Sequence, residues 1–290
     1  MEARNQADGG SNPTQSADLR SSTQVANGVA LAATLLLSAL ALLALERALL
    51  PVRALPALGL AIGFAVTARL LHAVSFSGAV AGWAVAFVLY LSAGVEAFLC
   101  LLTVFLLTWL ATGVGHARKQ QLGTAEARCG RSASQVAANV GMAALLMLPA
   151  QHAGVSARSL LIIAAIAVLA EAAADTVSSE IGQALSARAY LLTSFEAVPV
   201  GTDGGISFAG TSAGILAALL VAAVAAGLRL IPWPAITVVA GSAVLGMFAD
   251  SLLGAVFERR GRLTNNFVNL ISTSIAAAVA GLLRLLLAST

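Results

Sequence analysis

Ser159-Leu-Leu-Ile-Ile-Ala-Ala-Ile-Ala-Val-Leu-Ala-Glu171-Ala-Ala-Ala-Asp175-Thr-Val-Ser-Ser-Glu180-Ile-Gly182 decides the class of this chain. Its apolar run extends to about residue 179 and reaches the roughly 20 residues that a membrane-spanning helix needs. It shows none of the period-2 alternation that a membrane barrel strand requires. A carboxylate in such a run costs at least about 2.5–3.5 kcal/mol on insertion scales, so it is expected to face a bundle interior, a partner or an ion. A second segment, Ala249-Asp250-Ser-Leu-Leu-Gly254, places another aspartate near the end of another apolar run.

The rest of the chain has the same character. Over 290 residues, 59% are hydrophobic and 10% charged, with a mean hydropathy of +0.91. A soluble domain carries about 25% charged residues. Nine apolar stretches are counted, near residues 26 to 45, 54 to 71, 76 to 93, 95 to 114, 135 to 151, 159 to 179, 206 to 228, 234 to 256 and 267 to 288. The predicted fold is all-α, a polytopic transmembrane helical bundle of about nine helices.

Residues 1–24 are polar and lack the apolar core of a cleavable signal. They are read as a disordered cytoplasmic tail, residues 25–57 as an extra N-terminal transmembrane helix and connection, and residues 58–290 as the membrane catalytic domain. With the compact size, this places the chain in a cell inner membrane. Cys100 and Cys129 form neither a disulfide framework nor a metal spacing.

Nine helices with a cytoplasmic N-terminus put Arg4, Arg20, Arg69, Arg118, Lys119, Arg128, Arg131, Arg188, Arg259, Arg260 and Arg262 on one side, eleven of the sixteen basic residues. The opposite loops hold Arg47, Arg53, Arg158 and Arg229. The positive-inside rule favours this arrangement. Orientation, with a contribution from anionic lipid, accounts for the net charge of +3. The basic residues are not interleaved with aromatics as a nucleic-acid surface would be, so nucleic acid is not an expected partner.

That topology gathers four polar segments at the cytoplasmic end. The first is Gln121 to Gln135, with Glu126, Arg128 and Arg131, followed by Asn139. The second is Asp175 with Ser178, Ser179 and Glu180. The third is Pro199-Val-Gly201-Thr202-Asp203-Gly204-Gly205-Ile-Ser207. The fourth runs from Asp250 and Ser251 through Glu258 to Asn265, Asn266 and Asn269.

Glycines in the third segment let several N–H groups converge on an anion at a helix N-terminus, as in a phosphate cradle. A plain glycine-rich helix entry explains the segment equally well. The two aspartates each look along a face of small residues, and together they can share a metal ion. Mg²⁺ in phosphoryl-transfer sites is held by one or two carboxylates completed by substrate phosphates. The bland alternative is an aspartate paired with arginine or solvated at the interface. Glu171, one turn deeper, repels Asp175 and ranks lower. Arg128, Arg131, Arg259 and Arg260 can clamp phosphate oxygens, or merely mark topology. Asn139, Asn265, Asn266 and Asn269 either cap and bridge helices or join the site. His72, His116 and His152 are given no role. The two aspartate segments, 75 residues apart, are compatible with a short parallel repeat.

At these residues the chain resembles the membrane family called domain of unknown function 92, which includes animal transmembrane protein 19 and plant phytyl-phosphate kinase. The resemblance covers roughly residues 58 to 285. It rests on Leu122-Gly-Thr-Ala-Glu-Ala-Arg128 with Gly130-Arg131 and Gln135 to Gly141, on Ala174-Asp175-Thr176 with Ser179 to Gly182, on Pro199 to Gly205 with Ser207 and Gly210-Thr211, on Asp250-Ser251-Leu-Leu-Gly254, and on Asn265-Asn266 with Asn269 and Ser272. Asp203 departs from the neutral residue associated with the family's Gly-Thr-x-Gly-Gly stretch.

The resemblance implies a membrane kinase that passes a phosphoryl group from a nucleoside triphosphate such as CTP to a phytyl-like prenyl monophosphate. It implies Mg²⁺ at Asp175 and Asp250. Glu180, Arg128 and Arg131 are the other catalytic candidates, and the phosphate contacts fall to Gly201, Thr202, Gly204, Gly205, Ser207 and the four asparagines. The rival readings are an ion-coupled transporter or channel using intramembrane carboxylates, and a membrane protein without small-molecule chemistry. The sequence leaves the oligomeric state open.

Overall fold

A computed structural model of the chain describes residues 51–126 and 129–288. The expected first span, the polar tail, most of the 25–57 connection and Arg128 lie outside the described residues.

Eight helical elements follow in order: α1 (Pro51–Leu70), α2 (Phe76–Gly113), the short α3 (His116–Leu122), α4 (Ala133–Ala150), α5 (Val155–Leu185), α6 (Phe208–Gly227), α7 (Ala235–Glu258) and α8 (Asn265–Ala288). All but α3 are long and apolar enough to cross a membrane, so seven such helices occur among the described residues. The protein is an all-α polytopic membrane protein.

Sequence reading separated two spans within α2, and the backbone shows where. Ala93 (φ −140°, ψ 18°) and Gly94 (φ 80°, ψ −169°) leave helical geometry, and Gly94 adopts a positive φ that costs glycine little. A straight helix of 38 residues would extend about 57 Å. Yet Gly78 near its start and Gly113 at its end line one cavity of about 500 Å³. The two limbs therefore fold back as a hairpin with its tip at Gly94.

Helix α5 is the axis of the bundle. Every residue from Ile162 to Ala174 is buried, as expected of a helix that is apolar on all sides. Its 31 residues span about 46 Å, more than the roughly 30 Å hydrocarbon core, so it projects beyond that core. Small residues let neighbours approach it. A Cβ added at Gly214 of α6 would stand 2.7 Å from the Ala174 carbonyl, and one at Gly246 of α7 would stand 2.6 Å from Glu171 Cγ. Such contacts replace the hydrophobic drive that is missing between helices in lipid.

The connection between α5 and α6 carries β1 (Ala189–Leu191), β2 (Ala197–Val198) and β3 (Gly205–Ile206), an antiparallel sheet of order β2-β1-β3. Ala189 faces Val198 and Leu191 faces Gly205. Strands of two or three residues are too short to announce themselves by alternation, and sequence reading treated this stretch as loop.

Hydrogen bonds fix which ends lie together. At one end Gln151 donates to Ser92 Oγ (3.0 Å) and Arg158 to the Ser92 carbonyl (3.3 Å), joining the hairpin tip to the α4–α5 turn. At the other, Arg131 N–H donates to the Ala73 carbonyl (3.0 Å) and Ser75 N–H to the Arg131 carbonyl (2.9 Å), while Gly204 abuts Ser251 and Ala255. The four polar segments share this second end.

Gly214→Ala is expected to lower stability by about 1–3 kcal/mol through overpacking, whereas Gly59→Ala, with nothing within 4 Å of the added Cβ, should be neutral or gain up to about 1 kcal/mol. Thermal unfolding of both in one detergent measures this. Equal shifts would contradict the tight α5–α6 approach.

Candidate functional site

Asp250 sits one turn before a wider helical turn, Gly254–Glu258, where α7 takes π geometry. Its carboxylate accepts from Ser272 Oγ at 3.2 Å. With the Asn269 amide oriented to satisfy its neighbours, its nitrogen donates to Asp250 Oδ2 and to the Asn265 carbonyl, and its oxygen accepts from Asn139 Nδ2, each at 3.1 Å. Asn139 also donates to the Gln135 carbonyl (2.8 Å) and lies in a second π turn, Ala137–Gly141. Such turns recur at functional sites because the extra residue redirects side chains. Two sequence-distant amides thus orient one carboxylate.

Asp175 projects from α5 at the same end. Glu171, Asp175 and Asp250 lie close enough to sense one another's charge, and the nearby Arg131 guanidinium offsets Asp175. Arg131 Nε also stands 3.8 Å from Glu126. Its backbone is held by the Ala73 and Ser75 bonds, and Gly130 (φ +74°) packs its α-carbon where a side chain would strike the His72 carbonyl. Glu171 is deeper and 1% exposed. Its Oε1 has no hydrogen-bond partner among the described residues.

The glycine segment meets Asp250's helix rather than standing apart. Gly204 (φ +74°) has no room for a Cβ against the Ser251 carbonyl and Ala255 amide, and a Cβ at Gly254 would stand 2.9 Å from the Gly204 amide. Within the loop, Thr202 N–H and Oγ1 both donate to the Pro199 carbonyl (3.3 and 2.7 Å), and Gly205 N–H donates to the Thr202 carbonyl (2.9 Å). Ser207 caps α6 through Gly210 N–H (3.2 Å). No backbone hydrogen bond within the loop engages the amides of Gly201, Asp203 and Gly204. Close packing therefore explains part of the glycine content. Asn266 is half-buried at the start of α8, and Asn265 reaches Glu258.

Glu180 occupies a different environment. It pairs with Lys119, which is 1% exposed, and accepts from Thr112 Oγ1 at 3.0 Å. Lys119 also donates to the carbonyls of Ala111 (3.3 Å) and Thr112 (2.8 Å). Five residues beyond Asp175, Glu180 points about 140° around the helix, so the two carboxylates do not share a face.

The cavity of about 500 Å³ lies between α1, the two limbs of α2, α4 and α5. Its interior is lined by Phe64, Val85, Leu101, Val104 and Phe105, and its polar side by His72, His116, Gln120, Glu126, Arg131, Gln135 and Asn139, with Thr176 next to Asp175. Sequence reading gave the histidines no role because they show no ligand spacing and fall in different loops, whereas the α2 hairpin brings His72 and His116 to one cavity.

The donor set fits Mg²⁺ only as an open site. Asp175 and Asp250 supply hard oxygen atoms of the kind this ion takes. No group of three His, Cys, Asp or Glu side chains able to enclose an ion occurs among the described residues. Phosphate oxygens would have to complete the shell.

The chain matches the family model described as integral membrane protein DUF92 over residues 59–277. It is 30% identical over 221 residues to Protein VTE6, chloroplastic, of Arabidopsis thaliana, covering 74% of this chain and 66%, just under two thirds, of that protein. It is 36% identical over 199 residues to the uncharacterized membrane protein MJ0933 of Methanocaldococcus jannaschii (68% of this chain, 80% of the other). It is 30% identical over 200 residues to the uncharacterized membrane protein sll0875 of Synechocystis (68% and 78%). No solved structure matches the chain.

Lys119→Met strands Glu180 without its cation and is expected to cost about 3–5 kcal/mol. Adding Glu180→Leu should recover most of that loss. Chemical or thermal unfolding of the single and double variants tests the pairing, and a double variant no better than the single would argue against it.

Proposed function

The chain belongs to the integral membrane protein family DUF92, and from that membership and the site's geometry we propose that it is an integral membrane kinase that transfers a phosphoryl group from a nucleoside triphosphate, such as CTP, to a prenyl monophosphate. One observation carries the reading. Arg131 and Asn139 line the polar side of an apolar cavity, and the same two residues reach the carboxylates, Arg131 by charge to Asp175 and Asn139 through Asn269 to Asp250. An amphiphile with an apolar body and an anionic head fits that arrangement.

In this reading Arg131 holds the acceptor phosphate, Asn139 and Asn269 keep Asp250 oriented, and the amides of Gly201, Asp203 and Gly204 contact the nucleotide's phosphates. Mg²⁺, held by Asp175 and Asp250, would neutralise charge between the two phosphate groups. The acceptor phosphate is its own nucleophile, so the protein's contribution is positioning and electrostatics. Arg69, Arg118, Lys119, Arg131, Arg188, Arg259, Arg260 and Arg262 lie at or toward the site's end, against Arg53, Arg158, Arg229 and Arg284 toward the other. This supports a cytoplasmic face for the site. An ion-coupled transporter draws on Glu171, the one carboxylate placed deeper, but gives no reason for the amphiphilic cavity.

Purified full-length protein should convert phytyl or geranylgeranyl monophosphate to the diphosphate with CTP or ATP. Chelating Mg²⁺ should stop the reaction, and Asp250→Asn should lower kcat by about 10²-fold or more without loss of membrane insertion. An inserted Asp250→Asn protein with full activity would remove Asp250 from the site. Absence of both product and nucleotide binding would favour the transporter.

A further inference from the structure

We propose that the cavity between α1 and the α2 hairpin is the binding site of the substrate's hydrocarbon tail, and that its floor at Phe64, Gly82 and Val85 limits the tail to about 15–20 carbons. The proposal rests on the prenyl-phosphate reading of the head-group site. It assigns a ligand subsite and a length-determining element to residues outside all four polar segments.

Three features support it. The first is chemistry along the cavity. Arg131, Gln135 and Asn139 stand at the end where the carboxylates lie, while Phe64, Val85, Leu101 and Phe105 line the part farthest along their helices from that end. An occupant with a charged head and an apolar body has only one orientation that leaves neither end mismatched.

The second is size. Gly113 and Leu101 both line the cavity and are about twelve helical steps apart, a depth of about 18 Å. At roughly 30 Å³ per heavy atom, the share a water molecule takes in the liquid, 500 Å³ accommodates on the order of 17 atoms. Three to four isoprene units match; a dolichol-like polymer does not.

The third is the construction of the floor. Phe64 packs edge-on against Phe98 (5.8 Å between centroids) and Phe105 (5.2 Å), a braced aromatic cluster from α1 and the second limb of α2. Across from it, Gly82 leaves the first limb bare. A Cβ there would touch only Phe64, at 3.8 Å. A larger side chain at 82 therefore enters the cavity instead of colliding with backbone.

Two variants with opposite expected effects test the length limit. Equilibrium binding of radiolabelled geranyl, farnesyl, geranylgeranyl, phytyl and 25-carbon geranylfarnesyl monophosphates to the detergent-solubilised full chain needs no nucleotide and no turnover. Affinity of the natural sequence should rise with length to 15–20 carbons. Gly82→Leu should weaken the 20-carbon ligands at least tenfold while changing geranyl monophosphate less than twofold. Phe64→Ala should extend the preference to longer chains, a gain that misfolding does not produce. Binding independent of chain length, or an unchanged length profile in both variants, would overturn the proposal. If the profile shifts as expected but no diphosphate forms, the tail site stands and the kinase reading falls. If diphosphate forms with a length profile untouched by either variant, the kinase stands and the tail site falls.

Discussion

Three carboxyls within electrostatic reach of one another, Glu171, Asp175 and Asp250, are the constraint around which this bundle is organised. Glu171 is buried and Asp175 and Asp250 are half-buried, so water offsets the three only in part and the protein supplies the rest. Asp250 receives hydrogen bonds from Ser272 and Asn269, and Asp175 has the Arg131 guanidinium nearby. Ser272 and Asn269 come from α8 and Arg131 from the connection before α4, so these elements cannot separate from α5 and α7 without leaving a carboxylate unsatisfied. Conversely, the remaining repulsion between the carboxyls is reduced by any cation that joins them. The arrangement that costs folding energy is thus the one in which the proposed cation would relieve the repulsion, and the glycine approach at Gly214 and Gly246 holds α6 and α7 close to α5.

Much of this was legible in the sequence. Aspartates in apolar runs are unusual enough to mark the site, and the apolar stretches located the spans, including the division inside Phe76–Gly113 that the backbone makes at Ala93 and Gly94. The shared end of the four polar segments followed from counting crossings. What was not legible has physical reasons. The cavity is walled by Phe, Val and Leu residues that read as ordinary bundle core, and only the hairpin turns them toward one space. The π turns at Ala137–Gly141 and Gly254–Glu258 insert a residue without any fixed sequence signature. Glu180 was grouped with Asp175 as part of one polar segment, but helical rotation sends it to Lys119. The glycine segment was balanced between cradle and packing, and Gly204 shows that packing on α7 is at least one of its roles.

The division of the chain gives the last step. Helix α1 and the α2 hairpin supply most of the apolar cavity, while α5, α7 and α8 supply the carboxylates and their hydrogen-bond donors. Between them in sequence stands Gly130 to Val140, pinned at one side to the Ala73–Ser75 connection and at the other to Asn269 of α8. This short segment is the seam between an apolar half and a charged half. A molecule that is itself apolar at one end and anionic at the other would have its junction at that seam, where Arg131 and Asn139 lie. Neither half alone has use for such a ligand. The position of these two residues, more than the identity of either, is what the proposal of a lipid-phosphate substrate rests on.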